Sequence, residues 1–166
     1  LAEQQSTYYQ SPVGLLKISG TDDYISEVSF HDKTKNPERH SKKHISPMLI
    51  NCVEQLIQYF NGQRRVFELP LNQPGTPFQQ SVWAELVLIP FGKTISYLEL
   101  ARRTGDTKAT RAVANANGRN EIAIIIPCHR VIGSNKDLVG YGGGLWRKKW
   151  LLELEAKVAY GVQTLF

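Results

Sequence analysis

The spacing of apolar residues changes along this chain, and each change marks an element. Residues 7–30 carry short apolar runs, at Tyr8-Tyr9, 15–18 and 25–30, separated by Ser11-Pro12-Val13-Gly14 and by Ser19-Gly20-Thr21-Asp22-Asp23. Runs this short, broken by turn-forming residues, predict a β-meander. Residues 31–46 are polar and lysine-rich, with no period, and predict an exposed loop. From 47 to 60, Met48, Leu49, Cys52, Val53, Leu56, Ile57 and Phe60 recur at helical spacing, with Pro47 suited to a first turn and Asn61-Gly62 to a stop. Residues 70–77 hold three prolines and a glycine without apolar period, which predicts a boundary between domains at 1–74 and 75–166.

Helical spacing returns beyond that boundary. Thr76-Pro77 opens a helix with Phe78, Val82, Trp83, Leu86 and Val87, closed by Ile89-Pro90. After the turn Phe91-Gly92-Lys93, Thr94 is expected to cap a second helix carrying Ile95, Tyr97, Leu98, Leu100 and Ala101, which ends at Thr104-Gly105. Asp106 or Thr107 is expected to cap a third helix over 108–117, stopped by Gly118. Two helices joined by a glycine turn, with basic residues on the second, describe a helix-turn-helix, although an ordinary helical hairpin has the same pattern. The run 122–126, bounded by Glu121 and Pro127, predicts a short buried strand. A loop with four glycines at 140–144 then precedes an amphipathic helix from 145 to about 159, with Trp146, Trp150, Leu151, Leu154 and Val158 on its stripe. The fold class is therefore α+β: a small N-terminal sheet with a helix, and a mostly helical C-terminal domain with a helix-turn-helix.

Composition narrows the class. With 42% apolar and 21% charged residues in 166, the chain is that of an ordinary soluble globular protein. No run approaches the roughly 18 apolar residues of a membrane span. The start, Leu1-Ala2-Glu3-Gln4-Gln5, has no basic region followed by an apolar stretch, so the expected location is the cytoplasm, or on nucleic acid. Cys52 and Cys128 could form a single bridge, but Cys52 falls on an apolar helical stripe, so a reduced compartment with one working thiol fits better. His40 and His44, four apart in a stretch with no helical pattern, do not make a convincing metal pair, and no metal is expected. The net charge of +5 is uneven: residues 1–74 carry eight positive and eight negative groups, residues 75–166 twelve and seven. Arg102, Arg103, Lys108, Arg111 and Arg119 face only Asp106 in that stretch, a local field that attracts phosphate.

The candidate chemistry lies in Pro127-Cys128-His129-Arg130. A free thiol titrates near ~8.5, and an adjacent imidazolium or a helix N-terminus lowers that value enough to give thiolate at neutral pH. His129 and Arg130 supply positive neighbours, so Cys128 is a candidate nucleophile. The bland reading is a buried structural cysteine beside a surface His-Arg pair.

Pro127-Cys128-His129-Arg130-Val131, preceded by Arg111-Ala112-Val113 and Asn120 and followed by Tyr141-Gly142-Gly143-Gly144-Leu145, resembles the O6-alkylguanine-DNA alkyltransferase family, its small bacterial members in particular. The match runs from about residue 76 to 155; residues 1–70 resemble the family's ribonuclease H-like domain only in length and β-then-helix order. The resemblance implies a winged-helix-like C-terminal domain in which Cys128 takes an alkyl group from O6 of guanine, with O4 of thymine a possible second donor. The product is a permanent thioether, so each molecule acts once. It also implies His129 as a base acting through water, Glu155 orienting that histidine, Tyr97 protonating the departing purine and Asn120 pinning the turn before Cys128. Arg111 would fill the space left by a flipped nucleotide, with Thr94, Lys108, Ala112, Ala116 and Arg119 as further DNA contacts. Tyr141, Val131, Gly142 and Gly143 would form the guanine pocket. The implied partner is double-stranded DNA containing alkylated bases, bound in the minor groove by a monomer with no cofactor and no obligate protein partner. Gly142 stands where some relatives carry serine, Ala114-Asn115 replaces a glycine-rich pair, and Glu121 occupies a site that is often proline. Two other classes share parts of this pattern: a non-catalytic lesion binder or winged-helix regulator, which would lack the reactive cysteine, and a cysteine hydrolase or acyltransferase, which would turn over repeatedly.

Overall fold

The computed structural model describes residues 3–31 and 44–161. Residues 32–43 of the predicted lysine-rich loop, including His40, lie outside them. The chain divides into two compact units, 1–73 and 74–166.

In the first unit, β1 (Gln5–Ser11), β2 (Gly14–Gly20) and β3 (Ile25–Phe30) form an antiparallel sheet in the order β1-β2-β3. The hairpin between β1 and β2 closes on Gly14 at φ +106°, a conformation that an L side chain resists. Leu16, Ile18, Ile25 and Val28 are buried, and so are Leu49, Cys52, Leu56, Tyr59 and Phe60 of α1 (Pro47–Phe60), which packs on the sheet. Each such side chain contributes roughly 1.5–3 kcal/mol by leaving water. Ser46 caps α1 through its hydroxyl, which accepts from Met48 N at 3.1 Å, and Pro47 stands in the first turn. Cys52 is a core residue, its thiol pushed up to about 12 by burial. The proline-rich stretch expected as a linker begins as part of this unit. Ile25 N donates to Pro70 O and Asn72 N to Ile25 O, both at 2.9 Å, so residues 70–72 line the outer edge of β3.

The second unit holds α2 (Pro77–Val87), β4 (Ile95–Ser96), α3 (Tyr97–Arg103), α4 (Thr110–Gly118), β5 (Val131–Ile132) and α5 (Leu145–Tyr160). A capping box opens α2: Thr76 Oγ1 accepts from Gln79 N at 3.1 Å, and Thr76 N donates to Gln79 Oε1 at 3.0 Å. Trp83 of α2 donates its Nε1–H to Ala116 O of α4 at 2.9 Å, fixing those two helices together. Helices α3 and α4 are joined by Gly105 and a 3-10 turn, Thr107–Ala109, in which the Lys108 amide donates to Asp106 Oδ1 at 2.8 Å. Among the described residues no helix is long and apolar enough to cross a membrane.

Two local expectations fail for identifiable reasons. Thr94 does not cap the second helix. Ile95 and Ser96 are extended and pair in parallel with Val131 and Ile132, so the cap passes to Ser96, whose hydroxyl accepts from Glu99 N at 3.0 Å. The run 122–126 is buried as expected but is not a strand: Ile125 N bonds Ala123 O (2.8 Å), Ile126 N bonds Ile122 O (3.0 Å), and Ile124 adopts φ +71°. A buried backbone must satisfy its polar groups somewhere, and here Asn120 replaces the missing strand partner. Its Nδ2 donates to Ile122 O (3.3 Å) and Ile126 O (2.9 Å), and its Oδ1 accepts from Ile122 N (3.1 Å).

Thr76→Ala removes the hydroxyl half of the capping box, leaving the Gln79 amide without its acceptor, and is expected to destabilise the second unit by about 1 kcal/mol. Urea unfolding read by Trp83 fluorescence measures this, and an unchanged midpoint would show that the cap contributes nothing.

Candidate active site

The coil of turns that Asn120 closes leads into Pro127 and a 3-10 turn, Cys128–Arg130, which β5 continues. Cys128 is 7% exposed. Burial pushes its thiol up, while the Asn120 side chain, the Lys148 charge and the backbone amides of Cys128 and His129 pull it down. Burial is the largest influence, so the resting group is a neutral thiol.

Glu155 of α5 is the hub beneath that turn. Its Oε2 accepts from His129 Nε2 at 2.6 Å and from Arg130 Nη2 at 3.2 Å; its Oε1 accepts from Arg130 Nε at 2.8 Å and from Gly92 N at 3.1 Å. These donors hold the carboxyl at about 2 although burial opposes ionisation. Arg130 also donates to Ile89 O at 2.7 Å. Position 92 needs glycine twice over. It lies at φ +79°, and a Cβ there would sit 2.8 Å from the Cβ of Ala159 on α5.

An ionised carboxylate only accepts, so His129 Nε2 must carry the hydrogen. Desolvation lowers the pKa of His129, opposed by Glu155 and reinforced by Arg130 and Lys148, so the ring is neutral. Its Nδ1 is then a bare lone pair, buried and without a partner among the described residues. The expected static imidazolium is thus absent, and the charge of Arg130 is spent on Glu155. At rest the site pairs a neutral thiol with a neutral imidazole, because burial penalises both ions.

Tyr97, the first residue of α3, donates its hydroxyl to Val139 O at 3.0 Å, and burial raises its pKa. Asn117 of α4 is buried, with Nδ2 3.4 Å from Cys128 O, and its side chain opposes the rise at Tyr97. Val131 is buried in β5. Tyr141 is half-buried with its hydroxyl inside; burial raises its pKa, and a charge on the Cys128 sulfur acts in the same direction. The turn 141–144 closes through Gly144 N to Tyr141 O at 2.9 Å, and Gly143 O accepts from Arg147 Nη1 at 2.9 Å. A Cβ at Gly142 would meet nothing within 4 Å, so a serine there would be sterically free.

Lys148, Asn117 and Gly92 were not singled out from the sequence as site residues, and Arg130 was read as a neighbour of the thiol where the structure makes it a partner of Glu155. Lys148 is fully buried, and its Nζ donates to Val139 O (3.0 Å) and Gly140 O (3.1 Å). Its spacing held the signal: 148, 151, 152 and 155 form one stripe of α5, so a buried Glu155 places Lys148 inside as well.

On α4, Arg111, Ala112, Asn115 and Arg119 are exposed, while Val113, Ala116 and Asn117 are buried. Lys108 is exposed in the turn before the helix. Ala116 is therefore a core residue under Trp83, not a groove contact. The basic cluster is also smaller than its sequence suggests, because Glu99 pairs with both Arg102 and Arg103, the latter at 3.0 Å. Lys108, Arg111 and Arg119 carry no ion pair among the described residues. Thr94 is half-buried just before β4.

Residues 5–73 match the model for the 6-O-methylguanine DNA methyltransferase ribonuclease-like domain, and residues 77–157 match that for the DNA-binding domain of the same enzymes. The chain belongs to the O6-methylguanine DNA methyltransferase family. Its methylated-DNA–protein-cysteine methyltransferase relatives include one from Mycolicibacterium paratuberculosis, 44% identical over 94% of each chain. The constitutive enzyme of Bacillus subtilis is 40% identical over 93% of this chain and 96% of its own. The O6-methylguanine methyltransferase structure from Mycobacterium tuberculosis superposes with a TM-score of 0.84 at 41% identity, covering 96% and 97% of the two chains. A structure of the same organism's protein in complex with DNA gives 0.79 at 43% identity, covering 91% and 92%. The methyltransferase fold, α+β with an N-terminal antiparallel sheet, is thus shared along the whole described chain.

Glu155→Gln leaves Arg130 buried without its carboxylate, an expected loss of about 3–5 kcal/mol in denaturant unfolding. The folded pKa of Glu155, about 2, lies below its ordinary 4.5, so its contribution is full above 4.5 and is lost as pH falls toward 2. His129, lowered from 6.5, stays neutral in the fold while the unfolded chain binds a proton, so stability also drops as pH falls below 6.5. The unchanged protein should lose stability in both acid ranges, whereas Glu155→Gln should flatten the lower one. Parallel curves for the two proteins would refute the linkage.

Proposed function

We propose that the protein repairs DNA by direct damage reversal, moving an alkyl group from O6 of guanine to Cys128 in a single irreversible turnover. The observation that carries this reading is the Cys128-His129-Glu155 arrangement: a buried thiol followed at once by an imidazole whose Nε2 is locked to a carboxylate and whose Nδ1 is open. The names of the relatives support the same chemistry.

The thiol proton passes through a water molecule to His129 Nδ1, and the resulting imidazolium is held by Glu155. The sulfur anion attacks the alkyl carbon in line. The S–C bond forms as the C–O6 bond breaks, and the released electron pair goes into the purine. Tyr97 exchanges its bond to Val139 O for a ring nitrogen of that purine and gives up its proton, so guanine leaves neutral. The proton on His129 and the charge on Tyr97 cancel through solvent. The product thioether has no protonation step that returns thiolate, which makes the protein its own spent reagent.

The target atom is inside the duplex, so the nucleotide must leave the stack at a cost of a few kcal/mol. The exposed face of α4 supports this, because Arg111 projects from a strip that also contains Ala112, Asn115 and Arg119. Small residues suit entry into the shallow minor groove, where Arg111 occupies the vacated space. Tyr141, Val131 and the backbone of Gly142 and Gly143 form the pocket for the extruded base. The chain binds as a monomer, through phosphate contacts from Lys108 and Arg119, with little dependence on sequence.

Incubation with duplex DNA containing O6-methylguanine should add one methyl mass to the peptide holding Cys128, at one equivalent per protein. Unmodified protein, or repeated turnover, would reject the assignment. Cys128→Ser should abolish transfer with DNA affinity intact. Arg111→Ala should slow transfer with the unfolding midpoint unchanged, whereas Lys108→Ala should reduce the salt slope of binding by about 1.

A further inference from the structure

A loop in which four of the five residues 140–144 are glycine has little shape of its own, because glycine barely restricts φ and ψ. Its surroundings must supply the shape, and they act on its carbonyl oxygens. Side chains on a helix lean toward its N-terminus, so the first turn of α5 reaches back over the loop that leads into it. Arg147 Nη1 donates to Gly143 O at 2.9 Å, while Lys148 Nζ donates to Val139 O at 3.0 Å and Gly140 O at 3.1 Å. Consecutive helical residues diverge by about 100°, so the two cations hold different parts of the loop. Lysine holds its beginning, where Val139 O also takes the Tyr97 hydroxyl, and arginine holds its end. Arg147 is covered in turn by its neighbour. Its guanidinium carbon lies 4.5 Å from the centroid of the Trp146 ring, and Arg147 is 2% exposed where Trp146 is 55% exposed.

Between the two anchors, Gly142 has nothing within 4 Å of the place a Cβ would occupy, so no side-chain packing fixes it. The path of residues 142 and 143 therefore depends on the Arg147 bond and on the closure of the turn from Gly144 N to Tyr141 O. We infer that Arg147 is a positioning residue that sets the size of alkyl group Cys128 accepts, by pinning the Gly143 carbonyl and with it one wall of the base pocket. The inference rests on the proposed function, in which the backbone of Gly142 and Gly143 borders the extruded base. A pinned wall keeps a small adduct in line with the sulfur and leaves a longer chain without room. A slack wall loses that alignment, and a displacement of about 1 Å costs on the order of 100-fold in rate, but it admits bulk. Lys148 cannot stand in for the arginine, because its ammonium is engaged at the other end of the loop.

The test compares single-turnover transfer from duplexes containing O6-methylguanine and O6-butylguanine, for the full chain and for Arg147→Met. The methyl rate should fall while the butyl rate falls less or rises, so the preference for methyl drops at least about tenfold. Arg147→Lys, which keeps a donor for Gly143 O, should recover most of that preference. An arginine that only supports the fold would lower both rates by the same factor, and an unchanged preference in folded Arg147→Met, or no recovery in Arg147→Lys, overturns the inference. Should Arg147→Met not fold, Trp146→Ala decides: it opens the guanidinium to water, and the preference should move the same way, whereas a preference that stays put counts against Arg147. Failure of the unchanged protein to take up a methyl group would instead remove the proposed function, and this inference with it.

Discussion

A single buried carboxylate organises this site. Glu155 accepts from Gly92, Arg130 and His129, bringing the turn after α2, the nucleophile's own turn and the last helix to one point. Without that anion Arg130 would be an unpaired charge in the interior and the ring of His129 would be free to choose its tautomer. With it, Nε2 is committed to the carboxylate and Nδ1 keeps an open lone pair, the base of the proposed reaction. In the proposed reaction the ion pair is less a source of stability than a device for fixing which nitrogen of His129 is free.

The consequence is a site that rests uncharged at its reactive atoms. Dry surroundings raise the thiol and depress the imidazole, so neither ion forms until a proton moves from one to the other. A standing thiolate in a cell meets many electrophiles, whereas a buried neutral thiol is unreactive until its proton is passed on. For a protein whose nucleophile works once, that restraint protects against wasted alkylation.

Much of this was legible in the sequence, and the gaps have causes. The β-meander, α1 and α2 followed from apolar period and turn residues, with Thr76-Pro77 and Pro47 where helix starts require them. The segment 122–126 misled because five apolar residues say "buried" without saying how the backbone is satisfied; the answer lay in the polar side chain of Asn120. Thr94 misled because a strand of two residues, Ile95–Ser96, is too short for alternation to register, and its partner is far along the chain. Cys128, His129 and Glu155 could be named from the motif, but the neutral state of His129 depends on enclosure, which no motif records. Ala116 and Lys148 show helical phase at work: a stripe already anchored by one buried residue decides its neighbours, and the α5 stripe expected through Trp146, Trp150, Leu151, Leu154 and Val158 is out of phase with the buried one, since Trp146 is exposed and Lys148, Leu151, Leu152 and Glu155 are enclosed.

Val139 lies in a loop and takes no part in any motif, yet its carbonyl oxygen has both lone pairs occupied, one by the Tyr97 hydroxyl and one by Lys148. Tyrosine can therefore let go without stranding a naked acceptor, since the lysine remains in place behind it. In the proposed reaction, swinging that hydroxyl from Val139 O to an incoming ring nitrogen then trades one hydrogen bond for another, before any proton moves.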